Sequence, residues 1–90
     1  MRNIENKQHI FINTSLVTLA KDEVMVEYSG LTGNHQLELY DLTGRLLFEK
    51  TIGDHTGIIE IATINYPSGV YVVVLRNAQG IQNQHKLVVE

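Results

Sequence analysis

The chain contains no cysteine, which removes disulfide staples, thiolate metal sites and cysteine nucleophiles together. It does not fix the compartment, since many exported proteins lack cysteine. Basic charge is sparse as well. The seven lysines and arginines are scattered as Arg2, Lys7, Lys21, Arg45, Lys50, Arg76 and Lys86. No basic stripe forms, which argues against nucleic acid or an anionic membrane as partner. No apolar run approaches the ~18 residues a membrane span needs. The amino end, Met1-Arg2-Asn3-Ile4-Glu5-Asn6-Lys7, lacks the apolar core of a signal peptide. If the domain is exported, its export signal is expected upstream of these residues. The glycines are dispersed, one or two per loop, and build no phosphate cradle.

What remains is one small domain, because cores rarely subdivide below about 150 residues and the chain has 90. Size scaling gives roughly 5,300 Å² of folded surface against about 14,800 Å² unfolded. A two-layer fold is stable on that without metals. Residues 1–8 are polar and read as a linker or frayed terminus, and residues 9–90 as the domain. Glu23-Val24-Met25-Val26-Glu27-Tyr28 alternates, with Val24, Val26 and Tyr28 on one face. Gln36 to Tyr40 alternates again, with Leu37 and Leu39 inward. Asp41-Leu42-Thr43-Gly44 suits a turn in which Asp41 bonds its own backbone and Gly44 takes a positive φ.

Strands follow at Arg45–Thr51, Ile58–Ile61, Val70–Arg76 and Ile81–Val89, with a hairpin turn at Asn77-Ala78-Gln79-Gly80. The run from Val70 to Arg76 is apolar on both faces and is placed centrally in a sheet. The segment Phe11 to Leu19 reads as two short strands hinged at Asn13-Thr14-Ser15, with one bent edge strand as the alternative. Short strands at regular spacing, with no helical period, predict an all-β fold: an immunoglobulin-like antiparallel two-sheet sandwich of about seven strands. The predicted core includes Val24, Val26, Leu37, Leu39, Leu46, Ile59, Ile61, Val72, Val74 and Leu87.

No catalytic constellation emerges. His9, His35, His55 and His85 lack ligand spacing and read as surface residues without a role. Asp22, Glu23, Glu27, Asp41 and Asp54 do not converge from one loop as calcium requires. Ser15, Ser29 and Ser68 have no nucleophile-elbow context. Tyr28 and Tyr71 read as core bulk with the hydroxyl at the rim, and Tyr40 is divided between that role and stacking on a glycan or aromatic ligand. No catalytic, metal or cofactor-binding residue is assigned, and the domain is read as no enzyme.

Three motifs carry more. They are Tyr40-Asp41-Leu42-Thr43-Gly44-Arg45-Leu46, then Pro67-Ser68-Gly69-Val70-Tyr71, and last Lys86-Leu87-Val88-Val89-Glu90. Each alone is weak, since a turn glycine and a Gly-x-Tyr strand occur in many sandwiches. In this order and spacing, from about Phe11 to Glu90, they resemble the C-terminal sorting domain of cargo exported by the type IX secretion system of Bacteroidetes. One departure is visible: the family usually carries Pro-Asn-Pro-Ala where this chain has Val17-Thr18-Leu19-Ala20-Lys21-Asp22.

The resemblance implies a sorting signal in folded form at the end of a larger passenger. It implies passage through the periplasm, recognition by the outer-membrane translocon, and usually removal by a sortase-like peptidase at the cell surface. The residues it singles out are Tyr40, Asp41, Gly44, Arg45, Gly69 and Tyr71 as motif positions. Lys86, Leu87, Val88, Val89 and Glu90 are those the translocon would read, by strand addition or carboxylate capture. A homodimer by exchange of the N-terminal strand is a further expectation, because that edge lacks the family's prolines. The rival reading is an immunoglobulin- or fibronectin-like spacer or adhesion module, which a sandwich fold alone does not separate from the first.

Overall fold

The computed structural model describes residues 8–11 and 18–90, with side chains from Ala20 onward. The predicted linker, but for Gln8, and the predicted hinge at Asn13-Thr14-Ser15 lie outside the described residues. The described chain forms eight strand segments and no helix: β1 (Gln8–Phe11), β2 (Thr18–Ala20), β3 (Glu23–Tyr28), β4 (His35–Asp41), β5 (Leu46–Ile52), β6 (Gly57–Ala62), β7 (Gly69–Asn77) and β8 (Gly80–Val89). One sheet has the order β1-β3-β6 and the other β2-β8-β7-β4-β5. This is the immunoglobulin-like sandwich that the strand spacing predicts, with eight strand segments rather than about seven; of the segment Phe11–Leu19, only Phe11, at the end of β1, and Thr18 and Leu19, in β2, are among the described residues.

All pairings between β3 and β8 are antiparallel, but β1 runs parallel to β3 and β2 parallel to β8. The first segment thus serves both sheets, one piece on each, and there the sandwich departs from a purely antiparallel plan.

The core lies between the sheets. Alternation sets the inward set correctly on β3 and β4, where Val24, Val26, Leu37 and Leu39 are fully buried. On β7 the inward residues are Tyr71, Val73 and Leu75, all in the core cluster. Of the predicted core pair Val72 and Val74, Val74 is buried, at 4 % exposure, while Val72 is only half-buried. By register Val72 lies opposite Tyr40 and Val74 opposite Glu38, on the outer face of the larger sheet, so neither joins the cluster between the sheets. Leu46 is also corrected, being 41 % exposed. A bulge between Leu39 and Tyr40 shifts the ladder so that Leu46 faces Tyr40 on the outer side. Two of the four histidines are not on the surface: His35 and His85 are buried, while His55 is exposed.

Candidate functional site

The residues of the three motifs, far apart in sequence, meet at one end of the larger sheet. Asp41 on β4 pairs with Tyr71 on β7, and Tyr71 pairs with Leu87 on β8. Gly69 pairs with Val89 two residues further along. This convergence follows from two hairpin-like ladders sharing β7, which sequence order alone does not display.

The first motif is a self-contained turn. The Asp41 carboxylate accepts hydrogen bonds from the Thr43 hydroxyl at 2.6 Å, the Thr43 N–H at 2.9 Å and the Arg45 N–H at 3.0 Å. Its second oxygen lies 3.3 Å from the Arg45 guanidinium. The Gly44 N–H donates to the Asp41 carbonyl at 3.0 Å, and Gly44 has the predicted positive φ, 89°. A side chain is strained in that conformation, which is why glycine stands there. The Thr43 hydroxyl, with the Arg45 and Thr43 N–H groups, holds the Asp41 carboxyl below its ordinary value. Asp41 is thus a turn former, as its sequence context indicates.

The second motif is a tyrosine corner. The Tyr71 hydroxyl donates to the Pro67 carbonyl at 2.6 Å, four residues upstream, at the entry to β7. Tyr66 packs on Tyr71 with ring centroids 5.5 Å apart. Burial, with Tyr71 alongside, raises the Tyr66 hydroxyl above its ordinary value. Gly69 carries a φ of 156°, a conformation side chains rarely adopt, as the chain turns from the corner into the strand.

The third motif divides by face. Leu87 and Val89 are core residues, 0 % and 2 % exposed, while Lys86 and Glu90 are exposed and Val88 is half-buried on the outer face. Across the outer face one row runs Leu46, Tyr40, Val72, Lys86, and beside it lie Val70 and Val88. Tyr40 donates its hydroxyl to Glu38 at 2.8 Å, and Arg76 Nε donates to the same carboxylate oxygen at 3.1 Å. The Glu38 bond, ahead of burial, raises the Tyr40 hydroxyl above its ordinary value. Sequence reading gave Glu38 and Arg76 no part in this face. Only register brings them together, 38 residues apart, so no local signal existed.

The edge of β8 is partly covered. β2 pairs with it in the register Thr18–Leu87, Leu19–Val88 and Ala20–Val89, and the Glu90 N–H donates to the Ala20 carbonyl at 2.9 Å. Leu87, Val88 and Val89 are therefore paired on both sides. The opposite end of the sandwich holds an open polar cleft of about 240 Å³ between His35, Gln36, Thr51, Arg76 and Asn77. Among the described residues no group of histidine and carboxylate side chains is placed to hold a metal ion.

Comparison with known proteins agrees with the geometry. No curated protein and no solved structure matches the chain. A family model does, that of the secretion system C-terminal sorting domain, over residues 20–90. That span takes in all three motifs and every strand from β3 to β8. The chain belongs to the family of type IX secretion C-terminal sorting domains, whose members direct a larger passenger out of the cell.

Proposed function

We propose that this domain acts by protein–protein recognition through the outward side of β8, where the translocon reads Lys86, Val88 and the end of the strand at Glu90. A sortase-like peptidase then separates it from the passenger at the cell surface. The observation that carries this is the division of the third motif by face. Leu87 and Val89 hold the strand in the core, so a partner meets Lys86, Val88 and Glu90 instead. Tyr40 lies in the same row as Lys86, which extends the readable surface across three strands. No chemistry by the domain itself is required. The motif positions Asp41, Gly44, Arg45, Gly69 and Tyr71 serve to build the end of the sheet that presents this row.

The test is a fusion of the intact chain to a neutral passenger, expressed in a host with a working type IX system. The passenger should become accessible to added protease at the cell surface. A Lys86→Glu, Val88→Asp variant should remain in the periplasm, folded. Retention of the intact fusion, with its domain demonstrably folded, would end the sorting reading and leave the adhesion-module reading. Equal export of both fusions would show that the determinants lie elsewhere on the domain. Cleavage is read from the mass of the surface product: an uncut fusion at the surface would remove the peptidase from the scheme.

A further inference from the structure

The open polar cleft of about 240 Å³ lies where β4 begins and β5 and β7 end, away from the three motifs. Two groups on its wall are fixed by bonds made outside it. His35 Nδ1 lies 3.2 Å from the Gly33 carbonyl oxygen. A carbonyl only accepts, so Nδ1 carries the proton of the neutral ring and Nε2 presents a lone pair. Asn77 Oδ1 accepts from the Gln79 N–H at 2.8 Å, closing a local turn. That bond settles which way the amide points, with its Nδ2 donor toward His35. Nδ2 and Nε2 stand 3.5 Å apart, at the outer limit of a hydrogen bond. His35 is 7 % exposed, so its acceptor is largely removed from water and poorly satisfied by Asn77 alone.

We propose that this cleft binds one ring of a neutral saccharide, with a ring hydroxyl seated between His35 Nε2 and Asn77 Nδ2. A hydroxyl donates one hydrogen bond and accepts others, so a single oxygen satisfies both groups. A carboxylate only accepts and leaves Nε2 without a donor. A peptide N–H only donates, and its own carbonyl points the opposite way across the trans bond. Charge argues the same way. Among the described residues on the wall only Arg76 is charged, and its Nε donates to Glu38 at 3.1 Å, so the cleft is close to neutral. The Arg76 guanidinium, the Thr51 hydroxyl and the Gln36 amide line the same cleft and supply donors and acceptors for the neighbouring hydroxyls of the ring. The volume lies below the roughly 300–1,000 Å³ of pockets that enclose drug-sized ligands, so one ring enters and the rest of a chain stays in solvent. Among the described residues no tyrosine or phenylalanine lines the cleft to stack on the sugar, so the affinity is millimolar. The site uses none of the motif residues and goes beyond the sorting reading.

The probes are the methyl α-pyranosides of glucose, galactose and mannose, titrated into the full isotope-labelled chain and followed by NMR. Sodium acetate and N-methylacetamide serve as the anionic and peptide comparators. At least one glycoside should give saturable shifts centred on His35, Gln36, Thr51, Arg76 and Asn77, and both comparators should bind at least tenfold more weakly. The ring nitrogens of His35 should show Nδ1 protonated in the free protein and Nε2 moving on binding. Asn77→Asp keeps an oxygen for the Gln79 N–H and removes the Nδ2 donor, so the turn stays and glycoside affinity should fall at least tenfold. Thr51→Val, at an exposed strand position, keeps the β-branch and should weaken binding about threefold, which keeps the proposal testable if Asn77→Asp does not fold. No saturable shift with any of the three glycosides overturns the proposal. Acetate binding as tightly makes the cleft an anion site, and N-methylacetamide binding as tightly makes it a peptide site; either result overturns it. So does a proton on Nε2 of the free neutral ring, or unchanged affinity in a folded variant. None of these measurements reads export, so failure here leaves the sorting reading untouched, and failure of export leaves this one.

Discussion

Ending the chain after Leu87 tests whether the last strand belongs to the signal alone or also to the fold. The structure gives a definite magnitude. Val89 is 2 % exposed and paired to Gly69 on one side and Ala20 on the other. Full burial of a valine side chain contributes about 1.5–3 kcal/mol, and each lost backbone hydrogen bond about 1 kcal/mol. With the Glu90 to Ala20 bond and the last rungs to β7 gone, the truncation should cost about 3–5 kcal/mol. A domain of this length has roughly 5–13 kcal/mol in total, so a large share disappears. The melting temperature should fall by roughly 15–30 °C. Urea unfolding followed by circular dichroism reads the loss directly. A truncated chain within about 1 kcal/mol of the parent would refute the reasoning, because Val89 would then be no part of the core. The result also governs how export assays are read. A truncation that abolishes export is ambiguous between a lost signal and a lost fold, whereas Lys86→Glu, on the exposed side, changes stability little.

Three further outcomes follow from particular contacts. Thr63 is fully buried and its hydroxyl has no hydrogen-bond partner among the described residues, so Thr63→Val should stabilise the domain by about 1 kcal/mol in urea unfolding; a loss of stability would mean the hydroxyl is satisfied. At Gly57 an added Cβ would stand 2.5 Å from the Tyr28 hydroxyl oxygen and 2.8 Å from Cζ of its ring, so Gly57→Ala should cost about 1–3 kcal/mol by displacing a core tyrosine, with an unchanged midpoint as the contrary result. Asp41 has a folded pKa below its unfolded value, so its stabilising effect is present in full above the usual carboxylate pKa of about 4 and is lost as pH falls through the lowered value. Acid unfolding of Asp41→Asn should therefore start from a less stable protein at neutral pH and lose less between the two values; parallel curves for the two proteins would remove Asp41 from the acid response.

Much of the fold was legible because β3 and β4 each have one polar face. Glu23, Met25 and Glu27 alternate with Val24, Val26 and Tyr28, so period two fixes the inward set without ambiguity. β7 has no such contrast. Val70 to Leu75 is apolar throughout, because this strand sits in the middle of five and its outer face is covered by its neighbours' side chains. The phase had to come from a single residue, and Tyr71 was able to supply it. Its hydroxyl must reach back to Pro67, which places its ring inward and takes Val73 and Leu75 with it. Leu46 failed for a different reason: one extra residue at the β4–β5 bulge reverses every side chain beyond it, and no propensity marks where a bulge falls.

The site was legible as three motifs but not as a surface. Asp41, Gly44 and Tyr71 could be assigned from local chemistry, since each satisfies its bonds within four residues of itself. The alignment of Tyr40 with Lys86, and the junction of Glu38 with Arg76, exist only once β4, β7 and β8 are in register. The cover on β8 was the least accessible of all, because Thr18–Ala20 reads as one more short edge strand whose partner the sequence does not name. Its partner is the strand that carries the third motif. The chain segment that leads into the family-matched region is thereby hydrogen-bonded to the segment that closes it.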